Sequence, residues 1–106
     1  MQLIFYWESQ AAVVENYDVF VHLLDESGEI VAQSDRKPVD GLVATDVWQP
    51  GDIIRDPVLI PLLPDLQAGS YGLQMGVYLR ESGERLPVHG GSASNNALLL
   101  ESVIVP

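Results

Sequence analysis

The sequence predicts an all-β domain, an antiparallel immunoglobulin-like β-sandwich of about seven strands. Three observations carry that expectation. From Tyr71 onward the odd positions Tyr71, Leu73, Met75, Val77 and Leu79 are all apolar, a period of two that marks a strand with one buried face. The preceding turn, Asp65-Leu66-Gln67-Ala68-Gly69, delivers Tyr71 to the start of that strand, where a tyrosine pins a corner in many sandwiches. No segment keeps a helical period with caps, and the apolar runs are short and bounded by Gly, Pro and Asp. A small up-and-down barrel is the alternative arrangement.

The remaining elements follow in chain order. Leu3, Phe5 and Trp7 alternate with Gln2, Ile4, Tyr6 and Glu8, giving a first strand with one apolar and one mixed face. After a connection over Ser9 to Asn16, residues Tyr17 to Leu24 form a second strand. Both its faces are apolar, which places it centrally. Asp25 to Glu29 is a hairpin turn in which Gly28 supplies a positive φ, and Ile30 to Gln33 is the short return strand. The tetrapeptide Glu-Ser-Gly-Glu recurs at Glu81 to Glu84, which reads as one turn chemistry used in two hairpins. Ser34 to Thr45 is the longest irregular stretch. Gln49-Pro50-Gly51-Asp52 has the type II preference for Pro then Gly. Ile53 to Leu63 contains Pro57 and Pro61 and is therefore an edge strand or a bulged one. Val88 to Asn96 is rich in Gly, Ser and Asn and reads as a loop. Leu98 to Val105 is the last strand.

The chain has 106 residues, the size of one domain with one core, so residues 1–106 are read as a single sandwich domain. Its ends, one of them breaking off in strand-like Val103-Ile104-Val105, read as cuts in a longer protein. Fifteen acidic residues against five basic ones leave a net charge of −10. That balance disfavours nucleic acid, whose affinity comes largely from Lys and Arg, and disfavours an anionic membrane surface. The absence of cysteine removes disulfides, thiolate metal sites and cysteine nucleophiles. No apolar run is long enough to span a bilayer, so no direct membrane insertion by this segment is expected.

Several motifs occur together: Leu-x-Phe-x-Trp (Leu3 to Trp7), Tyr-x-Val-Phe-Val-His-Leu-Leu-Asp (Tyr17 to Asp25) and Gly-Glu-Ile-Val-Ala-Gln-Ser-Asp (Gly28 to Asp35). Further along come Trp-Gln-Pro-Gly-Asp (Trp48 to Asp52), Leu-Pro-Asp-Leu-Gln-Ala-Gly-Ser-Tyr (Leu63 to Tyr71), Met-Gly-Val-Tyr (Met75 to Tyr78) and Arg85-Leu86-Pro87. Together they resemble the extracytoplasmic C-terminal β-sandwich module of bacterial, Chloroflexi-like, multi-spanning membrane glycosyltransferases of the dolichyl-phosphate-mannose-protein mannosyltransferase type. The match covers most of the chain. The resemblance implies a sandwich on the outer face of the cytoplasmic membrane, carried within a longer chain. Its expected partner is the membrane portion of its own parent or another envelope protein. It implies no catalytic residue, because the chemistry of such enzymes lies in the membrane portion. The expectation is therefore a non-catalytic accessory domain without cofactor.

The alternative is a carbohydrate-binding module. Exposed aromatic rings stack on sugars, and the candidates are Trp7, Trp48, Tyr6 and Tyr78; the ordinary alternative for both tryptophans is a place in the core. His22, on the central strand, reads as a sheet histidine with a satisfied hydrogen bond, and His89 as a loop residue. Asp35, Asp40, Asp46, Asp52 and Asp56 cluster around the loop over residues 34–56, where oxygen ligands could attract a cation, but their spacing matches no EF-hand. No serine lies in a Gly-x-Ser-x-Gly elbow. No catalytic, cofactor-binding or metal-binding residue is assigned.

Overall fold

The computed structural model describes residues 1–89, 92–94, 96–100 and 102–105. Eight strands are present among them: β1 (Gln2–Glu8), β2 (Asp18–Leu24), β3 (Ile30–Arg36), β4 (Ile53–Leu59), β5 (Gly69–Tyr78), β6 (Ser92–Ser94), β7 (Ala97–Leu99) and β8 (Val103–Val105). They form two antiparallel sheets. β1 and β4 make a two-stranded sheet; the other is six-stranded, in the order β3-β2-β5-β7-β6, with β8 also paired to β5. β7 and β8 run in the same direction along one side of β5, and the pairing slips by one residue between them. They are thus one last strand in two pieces, on the side of β5 opposite β2.

The period of two decides which residues face inward. The core joins Val19, Val21 and Leu23 of β2 and Tyr71, Leu73 and Met75 of β5 to Val58 of β4 and the adjoining Ile60. Leu3, Phe5 and Trp7 of β1 pack against it from the small sheet. β2 is central, flanked by β3 and β5, and is buried on both faces up to its last residue. The corner expected at Tyr71 is formed: its hydroxyl donates to the Gln67 carbonyl at 2.6 Å, and the ring is buried. That pin, with the central β2–β5 pair and the opposed small sheet, is the arrangement of an immunoglobulin-type sandwich.

The turns follow their chemistry. Gly51 has φ of 87° and Asp52 N–H donates to the Gln49 carbonyl at 3.0 Å, a type II turn. Gly28 and Gly83 both have positive φ, but their hairpins differ by one residue. Asp25 N–H donates to Glu29 in the first turn, whereas Leu79 N–H reaches Glu84 in the second. In the first turn the Asp25 carboxylate accepts from the Ser27 hydroxyl and from the N–H groups of Ser27 and Glu29. The Ser27 hydroxyl first, then these backbone donors, hold Asp25 below the usual carboxylate range.

Several expectations on boundaries change, and β4 ends at Leu59 rather than at Leu63. β3 runs to Arg36 rather than ending at Gln33, because its polar end remains in register with β2 through Val19↔Arg36. The stretch after it holds two short 3₁₀ turns, Pro38–Gly41 and Thr45–Val47. The segment read as a loop over residues 88–96 contributes β6; residues 90, 91 and 95 of it lie outside the described set, as does residue 101 of the last strand. Pro57 sits inside β4 without breaking its register with β1.

Candidate interaction surfaces

Among the described residues two carboxylates are buried, and both are fully occupied. Asp56 lies on the inner face of β4, where Val58 and Ile60 also point. It accepts from Trp7 Nε1 at 3.2 Å, from Arg36 Nη2 at 2.7 Å and from the Val39 N–H at 2.8 Å. The last bond holds Val39 at φ 52°, a left-handed conformation that a β-branched residue rarely takes. Arg36 also donates to the carbonyls of Lys37 and Pro57 and lies 3.4 Å from Asp40. Asp56 thus ties β4 to the end of β3. Asp18, at the start of β2, pairs with Lys37 at 2.8 Å and with Arg80 at 2.5 Å. Burial alone would raise the Asp18 carboxyl; the hydrogen bonds and charges of Arg80 and Lys37 outweigh it and hold the group below the usual range. Three of the five basic residues are consumed in this way.

The four aromatic candidates do not assemble into one platform. Trp48 is buried, at 7% exposure, and donates its indole N–H to the Val43 carbonyl at 3.0 Å. Trp7 is half-buried on the inner face, its ring centroid 6.3 Å from that of Trp48 and its N–H bound to Asp56. Both tryptophans therefore serve the core and its rim. Tyr6 and Tyr78 point outward, on opposite faces of the molecule.

Tyr6 belongs to the outer face of the small sheet. That face carries Gln2, Ile4, Tyr6 and Glu8 opposite Leu59, Pro57, Arg55 and Ile53. Tyr6 and Ile53 are each 66% exposed and Leu59 71%. Exposed apolar side chains grouped in this way mark contact surfaces more often than isolated ones do.

Tyr78 belongs to the outer face of the large sheet. There a depression of about 400 Å³ is lined by Phe20, His22, Asp35, Tyr78, Arg80, Gly83 and Arg85. Phe20 is buried, with the Arg85 guanidinium 4.4 Å from its ring centroid and the His22 ring tilted against it at 4.7 Å. It lies across Gly76, its register partner; a Cβ there would come within 2.3 Å of the ring. Burial first, then the charge of Arg85, lower the His22 pKa against the opposing pull of Asp35. The His22 Nδ1 stands 3.5 Å from Gln74 Nε2. Burial and the Asp35 carboxylate push the Tyr78 phenol up, so it stays a neutral donor.

The five aspartates around residues 34–56 are dispersed. Asp56 is buried, Asp52 binds the Gln49 N–H within its turn, Asp40 faces Arg36, Asp35 lies at the Tyr78 depression, and Asp46 is exposed. Among the described residues no group of three or more His, Cys, Asp or Glu side chains could hold a metal ion. His89 is exposed in the segment after the second hairpin. Phe20, Arg80 and Arg85 were not singled out as site residues by sequence reasoning, and Asp35 only as one of the loop aspartates. The signal for Phe20 and Arg85 was weak, since the alternation of β2 shows that Phe20 shares a face with His22 but not what covers it. The chain matches no family model, no curated protein and no solved structure.

Proposed function

We propose that this domain is a non-catalytic interaction module, an accessory domain of a membrane-associated, glycosyltransferase-like envelope protein, working outside the cytoplasmic membrane. The observation that carries the interaction role is the outer face of the small sheet, where Ile4, Tyr6, Ile53 and Leu59 are exposed together. The charged groups most deeply buried, Asp18 and Asp56, are bound to cations that hold strands together, and that use supports a structural rather than a chemical role for them. The envelope setting rests on the sequence resemblance. In that setting the partner is the membrane portion of the parent protein or a neighbouring envelope protein. A photo-crosslinker at position 6 or 53 of the full-length parent should capture a single defined region. A crosslinker at Glu26, on the exposed hairpin, should not. Turnover of glycosyl, acyl or phosphoryl substrates by the isolated domain would overturn the reading.

A second reading, carbohydrate binding, draws support from the Tyr78 depression, which sets a phenol ring beside hydrogen-bonding Asp35 and Arg80. Saccharide titration followed by NMR should move the Tyr78 and His22 ring signals together if it holds. Unchanged ring signals at millimolar saccharide would remove it.

A further inference from the structure

The small sheet has two outer edges, and they are treated differently. Met1 and Ile60 exchange both backbone hydrogen bonds, and Ser9 N–H donates to Asp52. Mutual bonds recur at every second residue of an antiparallel ladder, so Leu3, Phe5 and Trp7 face β4. The N–H and C=O groups of Gln2, Ile4, Tyr6 and Glu8 therefore point away from it. On β4 the outward-directed residues are Ile53, Arg55, Pro57 and Leu59. That edge is blocked at its centre: Pro57 has no N–H, its carbonyl binds Arg36, and the Pro38–Gly41 turn is held beside it through Val39. Among the described residues no proline, bulge or covering turn protects β1, and its one charged residue, Glu8, lies at its end. An unblocked edge of that kind, with Ile4 and Tyr6 at its centre, is a template for another strand.

The two sheets are also unequal in width. Arg36 at the end of β3 binds β4, so β4 lies over the β3 side of the large sheet and β1 lies toward β5. Two strands cover about 5 Å between their axes, against about 19 Å for the five-strand path below. The shelf beyond β1 is the inner face of the last strand. Leu98, Leu100, Val103 and Val105 pack against the core there yet remain half-buried, as do Leu3 and Phe5 on β1.

We infer that the free edge of β1 receives an extended segment of a partner polypeptide, which adds a third strand to the small sheet and closes the sandwich over β7 and β8. The inference rests on the reading of the domain as an interaction module and names the partner's chemistry. Alternate side chains of the added strand are apolar and fill the shelf over Leu98, Leu100, Val103 and Val105. The intervening ones are basic, because the chain carries a net charge of −10 and three of its five cations are bound to buried aspartates. A second copy fits less well. Pairing β1 with its own twin would bring two overhanging large sheets into the same space, and one seven-residue edge falls short of the roughly 1,600 Å² of a standard interface.

The test uses a panel of peptides of about nine residues in which Val or Leu alternates with Lys or Thr. Binding to the domain is measured by calorimetry and by amide hydrogen exchange. Binding should slow exchange at Ile4, Tyr6 and Glu8, and leave Leu3 and Phe5 unchanged. Ile4→Pro removes one outward N–H and no β1–β4 bond; it should weaken binding at least about tenfold while retaining the fold. Tyr6→Ser alters the face but keeps the edge, and should weaken binding less. No binding by any peptide at millimolar concentration, or binding unaffected by Ile4→Pro, overturns the edge. Binding lost on Tyr6→Ser but not on Ile4→Pro would overturn the edge and leave the face, and with it the proposed function, standing. A concentration-dependent doubling of mass in sedimentation, abolished by Ile4→Pro, would replace the partner segment with a second copy.

Discussion

The two sheets face solvent in opposite ways. The large sheet covers its own outer face: Phe20 lies on Gly76 and the Arg85 guanidinium lies over Phe20. One of its borders is the three-residue β6, and the other, β3, ends in charged Asp35 and Arg36. The small sheet leaves Ile4, Tyr6, Ile53 and Leu59 in water and, among the described residues, the edge of β1 away from β4 without a partner strand. The same alternation of side chains produced both. What differs is whether a residue from outside the strand folds back over the outer face. The large sheet has Arg85, delivered by the hairpin after β5. The small sheet has no such cover among the described residues, and the proposed partner segment would supply one.

The largest effect should come from cutting the tie between the sheets. Asp56→Ala removes the acceptor shared by Trp7, Arg36 and Val39. It leaves Arg36 without its buried counter-charge and Val39 in a left-handed conformation that nothing holds. Removing one partner of a buried pair costs about 3 to 5 kcal/mol. Denaturant unfolding of the purified variant measures this. A loss below about 1 kcal/mol, the level of an exposed pair, would mean that the small sheet docks without the tie.

Next is the closed face itself, probed by two glycines on it. A Cβ at Gly76 would meet Phe20 at 2.3 Å and the Asn96 carbonyl at 3.1 Å. The ring cannot move aside freely, since His22, Tyr78 and Arg85 surround it. Gly76→Ala should therefore cost about 1 to 3 kcal/mol through overpacking. At Gly72 the nearest atom, Leu99 Cδ1, lies at an ordinary 3.7 Å. Gly72→Ala should stabilise by about 0.5 kcal/mol, because alanine restricts the unfolded chain. Equal effects at the two positions would show that Phe20 does not lie over Gly76 in solution.

These residues also mark how far the sequence could be read. The period of two assigned Leu3, Phe5 and Trp7 to one face and Tyr6 to the other, so the inward place of Trp7 was already legible in its alternation. Tyr71 was legible because its turn and its strand are adjacent in the chain. Asp56 was not, although the alternation with Val58 and Ile60 put it on the inner face. A buried carboxylate is stable only with its cation, and Arg36 lies twenty residues away. Phe20 over Gly76, and Arg85 over Phe20, join β2, β5 and a distant hairpin; a pairing across three segments leaves no local pattern. The open edge of β1 depends on which strands fail to meet, and sequence spacing does not encode that.

The corner gives a smaller effect that separates the two ends of β5. Tyr71→Phe keeps the buried ring and removes the 2.6 Å bond to Gln67. The expected loss is about 1 kcal/mol, the net worth of one hydrogen bond, seen as a lower denaturant midpoint with an unchanged slope. Faster amide exchange should be confined to Gln67 through Tyr71, leaving the Phe20–Gly76 end protected. Exchange that rises equally at both ends would make the corner a global rather than a local pin.

The smallest effect is a pH slope, and it addresses the closed face alone. His22 is buried there between Phe20 and Gln74, facing Asp35 and Arg85, and its folded pKa lies below the ordinary 6.5. The unfolded chain then binds a proton in a range where the folded one does not, so stability must rise with pH across that range. The contribution is complete above 6.5 and declines as pH falls from there toward the lowered folded value. Asp18 has the same direction in a different window. Its lowered carboxyl contributes fully above its ordinary 3.8, and the contribution is lost as pH falls through the folded value. Denaturant midpoints taken between pH 7 and 5 should therefore fall gently in the wild type and stay nearly flat in His22→Gln, while both proteins share the steeper loss below pH 4. A slope that survives His22→Gln would put the titrating group elsewhere. The burial of His22 beneath the large sheet's cover would then have to be abandoned.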